Sequence, residues 1–287
     1  MDGQHRGVGE IIEPQFVIEG AGVKLRRSIA TRILNYHDPF LLFDHFGSDD
    51  PEDYLKGFPL HPHRGIETVT YVLEGIVHHK DSLGNAGSIR SGDVQWMTSG
   101  RGIMHEEMPK PSDGKMDGFQ LWINLPAKLK MTRPRYQEIP SEKIPEISRE
   151  DGTHIRLIAG SVNGIRGPVT EIAADPTYLD VTVPAECSFS QRIERGHNAF
   201  AYVFEGEGEF GTLADGMGKN VSSTKLVVFS DGDSVTIRTK SLPVRFLLVS
   251  GNPLNEPIAR YGPFVMNTKE EIEQALKDLQ KGTFVQK

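Results

Sequence analysis

His61-Pro-His-Arg-Gly-Ile-Glu-Thr-Val-Thr-Tyr-Val-Leu-Glu-Gly75 decides how this chain of 287 residues is read. From Glu67 to Leu73 it is rich in Val, Thr, Tyr and Leu, and it closes on Glu-Gly, the pattern of a short strand running into a turn. The pattern returns later in the chain. Thr70-Tyr-Val-Leu-Glu-Gly75 matches Ala201-Tyr-Val-Phe-Glu-Gly206, and Ser91-Gly92-Asp93 aligns with Asp231-Gly232-Asp233, each followed by a hydrophobic alternation. A period this long is no solenoid repeat, so the chain reads as a duplicated domain.

Working outward, similar strand candidates recur along the whole sequence. Phe40–Phe43, Glu67–Leu73, Val94–Met97, Ile103–Met108 and Phe119–Asn124 fall in the first half. Tyr178–Val183, Ala199–Phe204, Leu226–Phe229, Val235–Arg238 and Val244–Ser250 fall in the second. Gly 30 and Pro 18 supply abundant turns. Short, closely spaced strands with such turns imply an all-β fold of sandwiches or barrels. The segment Leu125–Glu150, with four prolines and mixed charge, reads as a linker, placing the domains at 1–139 and 140–287. Thr268-Lys-Glu-Glu271 has the spacing of a capping box, and Ile272, Leu276 and Leu279 follow at helical intervals. One C-terminal helix is therefore expected, running to about Lys281 and closing against a barrel.

Composition removes several functions. A net charge of −7 repels phosphate backbones, so direct nucleic-acid binding is not expected. Cys187 is the one cysteine, which excludes an intrachain disulfide and cysteine-based zinc ribbons. The first twenty residues lack the apolar core of a signal peptide, and no apolar run reaches membrane-spanning length. A cytoplasmic chain without membrane contact is expected. Gly206-Glu-Gly208-Glu-Phe-Gly211 spells a dinucleotide fingerprint, but the following Thr-Leu-Ala-Asp-Gly-Met-Gly cannot open the required helix.

Two residue pairs carry chemistry. His61 and His63 precede the strand Glu67–Leu73, and on an extended backbone positions i and i+2 share a face about 6.5–7 Å apart. His105 and Glu107 repeat that spacing inside Ile103–Met108. Either pair alone reads equally well as an exposed face; two pairs in one small β domain point to a metal. Three neutral imidazoles and one carboxylate suit iron(II), and would also accommodate manganese, nickel, cobalt, copper or zinc. Trp96, Met97, Phe119 and Trp122 offer an apolar pocket wall or, residue by residue, core. In the second half, Arg192 and Glu194 align with His61 and His63, and Arg245 and Leu247 align with His105 and Glu107. That half should hold no metal.

The stretches 61–75, 92–109 (GDVQWMTSGRGIMHEEMP), 118–131 (GFQLWINLPAKLKM) and 257–272 (PIARYGPFVMNTKEEI) together resemble the pirin family, within the cupin superfamily. The resemblance covers nearly the whole chain. It implies two antiparallel β-barrels of the cupin, jelly-roll type facing each other, with one metal in the N-terminal barrel. The family's ligand pattern falls on His61, His63, His105 and Glu107. Compared with the general cupin motif, the Glu67–Gly75 spacing is one residue longer and His105 stands two residues late, so Glu107 rather than Glu67 is the expected acidic ligand. Glu106, between the ligands, should face the other way.

The activity implied by the resemblance is that of a quercetin 2,3-dioxygenase, an Fe(II)-dependent oxidoreductase cleaving flavonols with dioxygen and releasing carbon monoxide. Glu107 would take the substrate's proton as well as hold metal. Arg64, beside His63, reads either as a guide for the anion or, more commonly for an arginine, as a surface residue. The alternative is an iron-binding, redox-sensing regulator that engages a protein partner without turnover. A monomer is expected in either case.

Overall fold

The structure is a computed structural model that describes residues 4–110, 115–211 and 218–285. All ten expected strands are present, several of them longer than the sequence alone suggests. The chain packs as two compact units: Met1–Pro14 with Glu142–Pro253, and Gln15–Ser141 with Leu254–Lys287. Each terminus thus joins the half that lies further from it in sequence, unlike the division at 139/140.

The unit containing Gln15–Ser141, here the N-terminal domain, has two large antiparallel sheets beside the small hairpin Ala259–Tyr261/Phe264–Met266. The larger runs, in spatial order, Arg135–Ile139, Val94–Thr98, Ile66–Glu74, Met116–Asn124, Phe40–Ser48, Val23–Ile29 and Gln15–Glu19. The smaller runs Phe58–His63, Ile103–Pro109, Ile76–Asp81 and Ala86–Arg90. The ladders do not join these sheets into a closed barrel. As in jelly rolls, apolar side chains rather than strand hydrogen bonds unite the two layers.

The other unit, the C-terminal domain, repeats this order. Val8–Ile12, Lys225–Phe229, Asn198–Phe210, Val244–Gly251, Thr177–Val183, His154–Ala159 and Glu146–Ser148 are neighbours in turn. Ser188–Arg192 pairs with Ser234–Arg238, which meets the far end of Asn198–Phe210, and that end meets Lys219–Ser222. The long strand Asn198–Phe210 runs through both layers, so all ten strands form one continuous sheet. It also contains Gly206–Phe210, so most of the glycine motif lies within a strand, and the residues that follow Gly211 lie outside the described ones.

Leu125–Glu150 is more structured than a linker. Arg135–Ile139 pairs residue for residue with Val94–Thr98, and Lys130 is buried, donating to the carbonyls of Gly65 and Val265 and to Asn124 Oδ1. Prolines at the ends of the edge strand leave its ladder intact, so their density misleads.

The helix forms as its caps dictate, over Lys269–Gln280. Thr268 Oγ1 accepts from the Glu271 amide at 3.2 Å, and the Glu271 carboxylate accepts from the Thr268 amide at 2.9 Å. Ile272 and Ala275 bury its inner face with Phe264, Met266 and Phe284, in the N-terminal domain. No helix among the described residues is long and apolar enough to cross a membrane.

Candidate metal centre

Phe58–His63 and Ile103–Pro109 are adjacent antiparallel strands, with His105 directly opposite His61 and Ile103 opposite His63. Along the second strand burial alternates: Ile103, His105 and Glu107 are buried, while Met104, Glu106 and Met108 are partly exposed. His105 and Glu107 therefore share the interior face, and Glu106 points out to an ion pair with Lys80 at 3.0 Å.

The three histidines converge. One nitrogen from each of His61, His63 and His105 lies within 4.8 Å of the others. His61 Nδ1 is 3.0 Å from the Pro59 carbonyl, so a neutral ring donates there and turns its Nε2 lone pair inward. That Nε2 lies 3.0 Å from His63 Nε2, about the separation of two donors with metal–nitrogen bonds of about 2.1 Å at right angles. Both ring nitrogens of His105 are buried with no protein partner. Burial, then the neighbouring imidazoles, push His63 and His105 well below the ordinary histidine range. Neutral, inward-aimed and partly orphaned nitrogens are what a divalent cation requires.

Glu107 completes the surroundings. Its Oε2 is 4.0 Å from His105 Nε2. Its Oε1 lies 2.9 Å from Thr70 Oγ1, and that hydroxyl is 2.7 Å from Gln120 Oε1; the single proton serves one acceptor at a time. Thr70 and Gln120 stand on neighbouring strands of the larger sheet. Their one mark in the sequence is that they are polar residues on strands otherwise rich in Val, Tyr, Phe and Leu.

Beside the histidines opens a cavity of about 460 Å³, inside the roughly 300–1,000 Å³ typical of small-molecule sites. His61, His63, Glu107, Thr70 and Gln120 line one side, and Phe46, Phe58 and Trp122 give it an aromatic wall. Of the four apolar candidates, only Trp122 reaches the cavity; Trp96, Met97 and Phe119 are wholly buried core. Trp122 meets the His63 ring edge-on, with centroids 5.1 Å apart.

Two other expectations meet their outcomes here. Glu67 is buried and accepts from Thr98 Oγ1 at 2.8 Å, outside the histidine cluster. Arg64 is no anion guide. It is 1% exposed, donates to Asp278 Oδ2 at 2.7 Å and lies over the Phe284 ring, holding the C-terminal helix to the turn after His63. The i+1 neighbour of a ligand on a strand faces away from the metal, which is why Arg64 cannot serve it.

The second domain revises the earlier alignment. Phe189 lies opposite Ile237 and Gln191 opposite Val235, and these four, with Ile193, are buried where the ligand strands carry their inward residues. Arg192 and Glu194 are exposed. Arg245 and Leu247 lie on Val244–Gly251, whose counterpart is Met116–Asn124: Leu247 pairs with Tyr202 as Phe119 pairs with Tyr71.

Two layers of antiparallel strands in each domain, two domains and inward histidines on paired strands define a two-domain cupin. The matches to known proteins say which kind. Residues 22–123 match the Pirin family and residues 178–285 the Pirin C-terminal cupin domain. A pirin-like protein of Caulobacter vibrioides is 42% identical over 280 residues, covering 97% of this chain and 99% of that one. A pirin-like protein of Solanum lycopersicum is 46% identical over 266 residues, covering 92% and 88%. The crystal structure of a quercetin 2,3-dioxygenase from Acinetobacter baumannii superposes with a TM-score of 0.89 at 34% identity, covering 98% and 99%. The chain belongs to the pirin family.

Proposed function

We propose that this pirin is a metal-dependent dioxygenase acting on flavonols such as quercetin, with one Fe(II) held by His61, His63, His105 and Glu107. The observation that carries the reading is the convergence of His61, His63 and His105 beside a cavity whose wall includes His61, His63 and the buried Glu107. The similar Acinetobacter baumannii protein, described as a quercetin 2,3-dioxygenase, supports the substrate class.

When bound, Fe(II) would supply a Lewis-acidic centre that favours an enolate oxygen and a redox partner for dioxygen. The chain's own residues do the rest. Three neutral imidazoles and one carboxylate leave the site a net positive charge, which favours the deprotonated flavonol over the neutral one. Glu107 would help hold the metal through its carboxylate, and Oε2, the oxygen that Thr70 does not touch, would take the substrate's hydroxyl proton. Phe46, Phe58 and Trp122 pack against the flat rings and exclude water. Ring opening by dioxygen then releases carbon monoxide.

Iron-loaded protein incubated aerobically with quercetin should consume oxygen and release carbon monoxide in equal amounts. Neither change in fully loaded protein would overturn the enzyme reading in favour of an iron-holding regulator.

A further inference from the structure

Arg260, on the short strand Ala259–Tyr261, reaches the same cavity. Its Nη1 donates to the Leu41 carbonyl at 3.1 Å and its Nε lies 3.4 Å from the Gly262 carbonyl. Its guanidinium carbon sits 5.2 Å from the centre of the Trp122 ring. Trp122 thus touches both Arg260 and His63. Among the described residues, Arg260 Nη2 makes no hydrogen bond to the protein.

The carboxylates near it are already engaged. Arg27 donates to both oxygens of Asp44, at 2.8 and 2.7 Å, and to Glu19 at 2.7 Å. Of the two arginines lining the cavity, Arg27 is matched by two carboxylates and Arg260 is bonded only to carbonyls. Burial, and then the charge of Arg27, make the cationic state of Arg260 less comfortable than it would be in water. A partly desolvated cation of this kind is relieved by an incoming anion. A guanidinium laid on an aromatic ring is also fixed in orientation, so little freedom is lost when it binds.

We propose that Arg260 binds an acidic oxygen of the substrate, a phenolate or carboxylate at the end remote from the histidines. It thereby selects planar enolic aromatics that carry such a group. This rests on the reading of the cavity as the substrate site. A purely structural Arg260 would only tie its strand to Leu41, and Nη2 would be indifferent to what fills the cavity.

The test compares 3-hydroxyflavone with its 4′-carboxylate, titrated anaerobically into metal-loaded protein and followed by calorimetry. The carboxylate should bind wild type about tenfold more tightly, the size of one charge-assisted hydrogen bond. Arg260→Gln should bring the ratio of the two dissociation constants close to one, and Arg260→Lys, which keeps the charge, should restore part of it. Equal binding of both probes by wild type would overturn the proposal without any variant, as would a ratio left unchanged by Arg260→Gln. The dioxygenase reading fails separately. A carboxylate preference without turnover would keep this assignment and sink that reading, whereas turnover of both probes without preference would do the reverse.

Discussion

The two domains share one strand order and differ in what they place inside. In the C-terminal domain the interior between the sheets is filled with apolar side chains. Phe189, Phe210 and Phe246 meet there edge to face, with Val235 and Ile237 behind them. In the N-terminal domain the matching strands carry His61, His63, His105 and Glu107, and a cavity takes the place of the aromatic plug. Phe246 pairs with Val203, and its counterpart Gly118 pairs with Val72. A Cβ at Gly118 would come within 2.7 Å of the Phe46 ring, so the missing side chain leaves that ring its place on the cavity wall. The difference teaches that this scaffold does not need an ion to fold: the same layers close around hydrocarbon as well as around polar donors.

The comparison breaks most visibly at the ligands. His61→Ala or His105→Ala should remove most of the metal, measured by elemental analysis, while circular dichroism keeps the β signal. The domain has its own core and does not depend on the ion as a zinc finger does. Gln191→Ala, at a buried position on the matching strand, should leave metal content unchanged. Collapse of the fold in both histidine variants would make the ion structural.

Glu107→Gln should lower flavonol turnover by about 10²–10⁴, the usual contribution of a positioned proton acceptor, and weaken metal retention. Glu106→Gln, whose carboxylate pairs outward with Lys80, should change either by less than twofold. The reverse order of damage would undo the assignment of the strand's faces.

Stability sharpens the contrast in the opposite direction. Phe246→Ala opens the filled interior and should cost about 3–5 kcal/mol in chemical denaturation, with metal per folded chain unchanged. Smaller still is the effect at the paired glycine turns. Gly196 has φ +84° with nothing near a new Cβ, so Gly196→Ala should cost about 1–2 kcal/mol for backbone conformation alone. Gly65 has φ +81°, and there a Cβ would collide with the Val265 carbonyl. Gly65→Ala should therefore cost more than its counterpart and loosen the metal, since the turn follows His63. Equal costs at the two turns would show that the close approach at Gly65 is not tight.

The strands were legible because Val, Ile, Tyr and Phe runs between Gly and Asp turns have one reading, and the helix because its capping box is local. Period two placed His105 and Glu107 on one face and Glu106 on the other, as the burial alternation shows. Matching the second half by sequence failed at the ligand strands for a physical reason. The connection from His63 to Ile66 is shorter than the one from Arg192 to Asn198. An odd difference in length exchanges the inward and outward faces, so a fixed offset from Tyr71 and Tyr202 landed on exposed Arg192 and Glu194. The Gly-Asp pair misled similarly. Asp231-Gly232-Asp233 leads into Ser234–Arg238, the counterpart of the strand Ile103–Pro109, not of Val94–Thr98. Arg260 was not legible, and Thr70 and Gln120 only as polar interruptions of apolar strands, because only tertiary pairing brings their strands to the histidines.

On the proposed reading, one domain holds the ion and its duplicate holds hydrocarbon in the same place. Elemental analysis of the purified wild-type chain, after loading with excess Fe(II) under anaerobic conditions and desalting, tests it directly. The account predicts one tightly held metal per chain, lost in His105→Ala. Two equivalents per chain, or one equivalent retained in that variant, would contradict it.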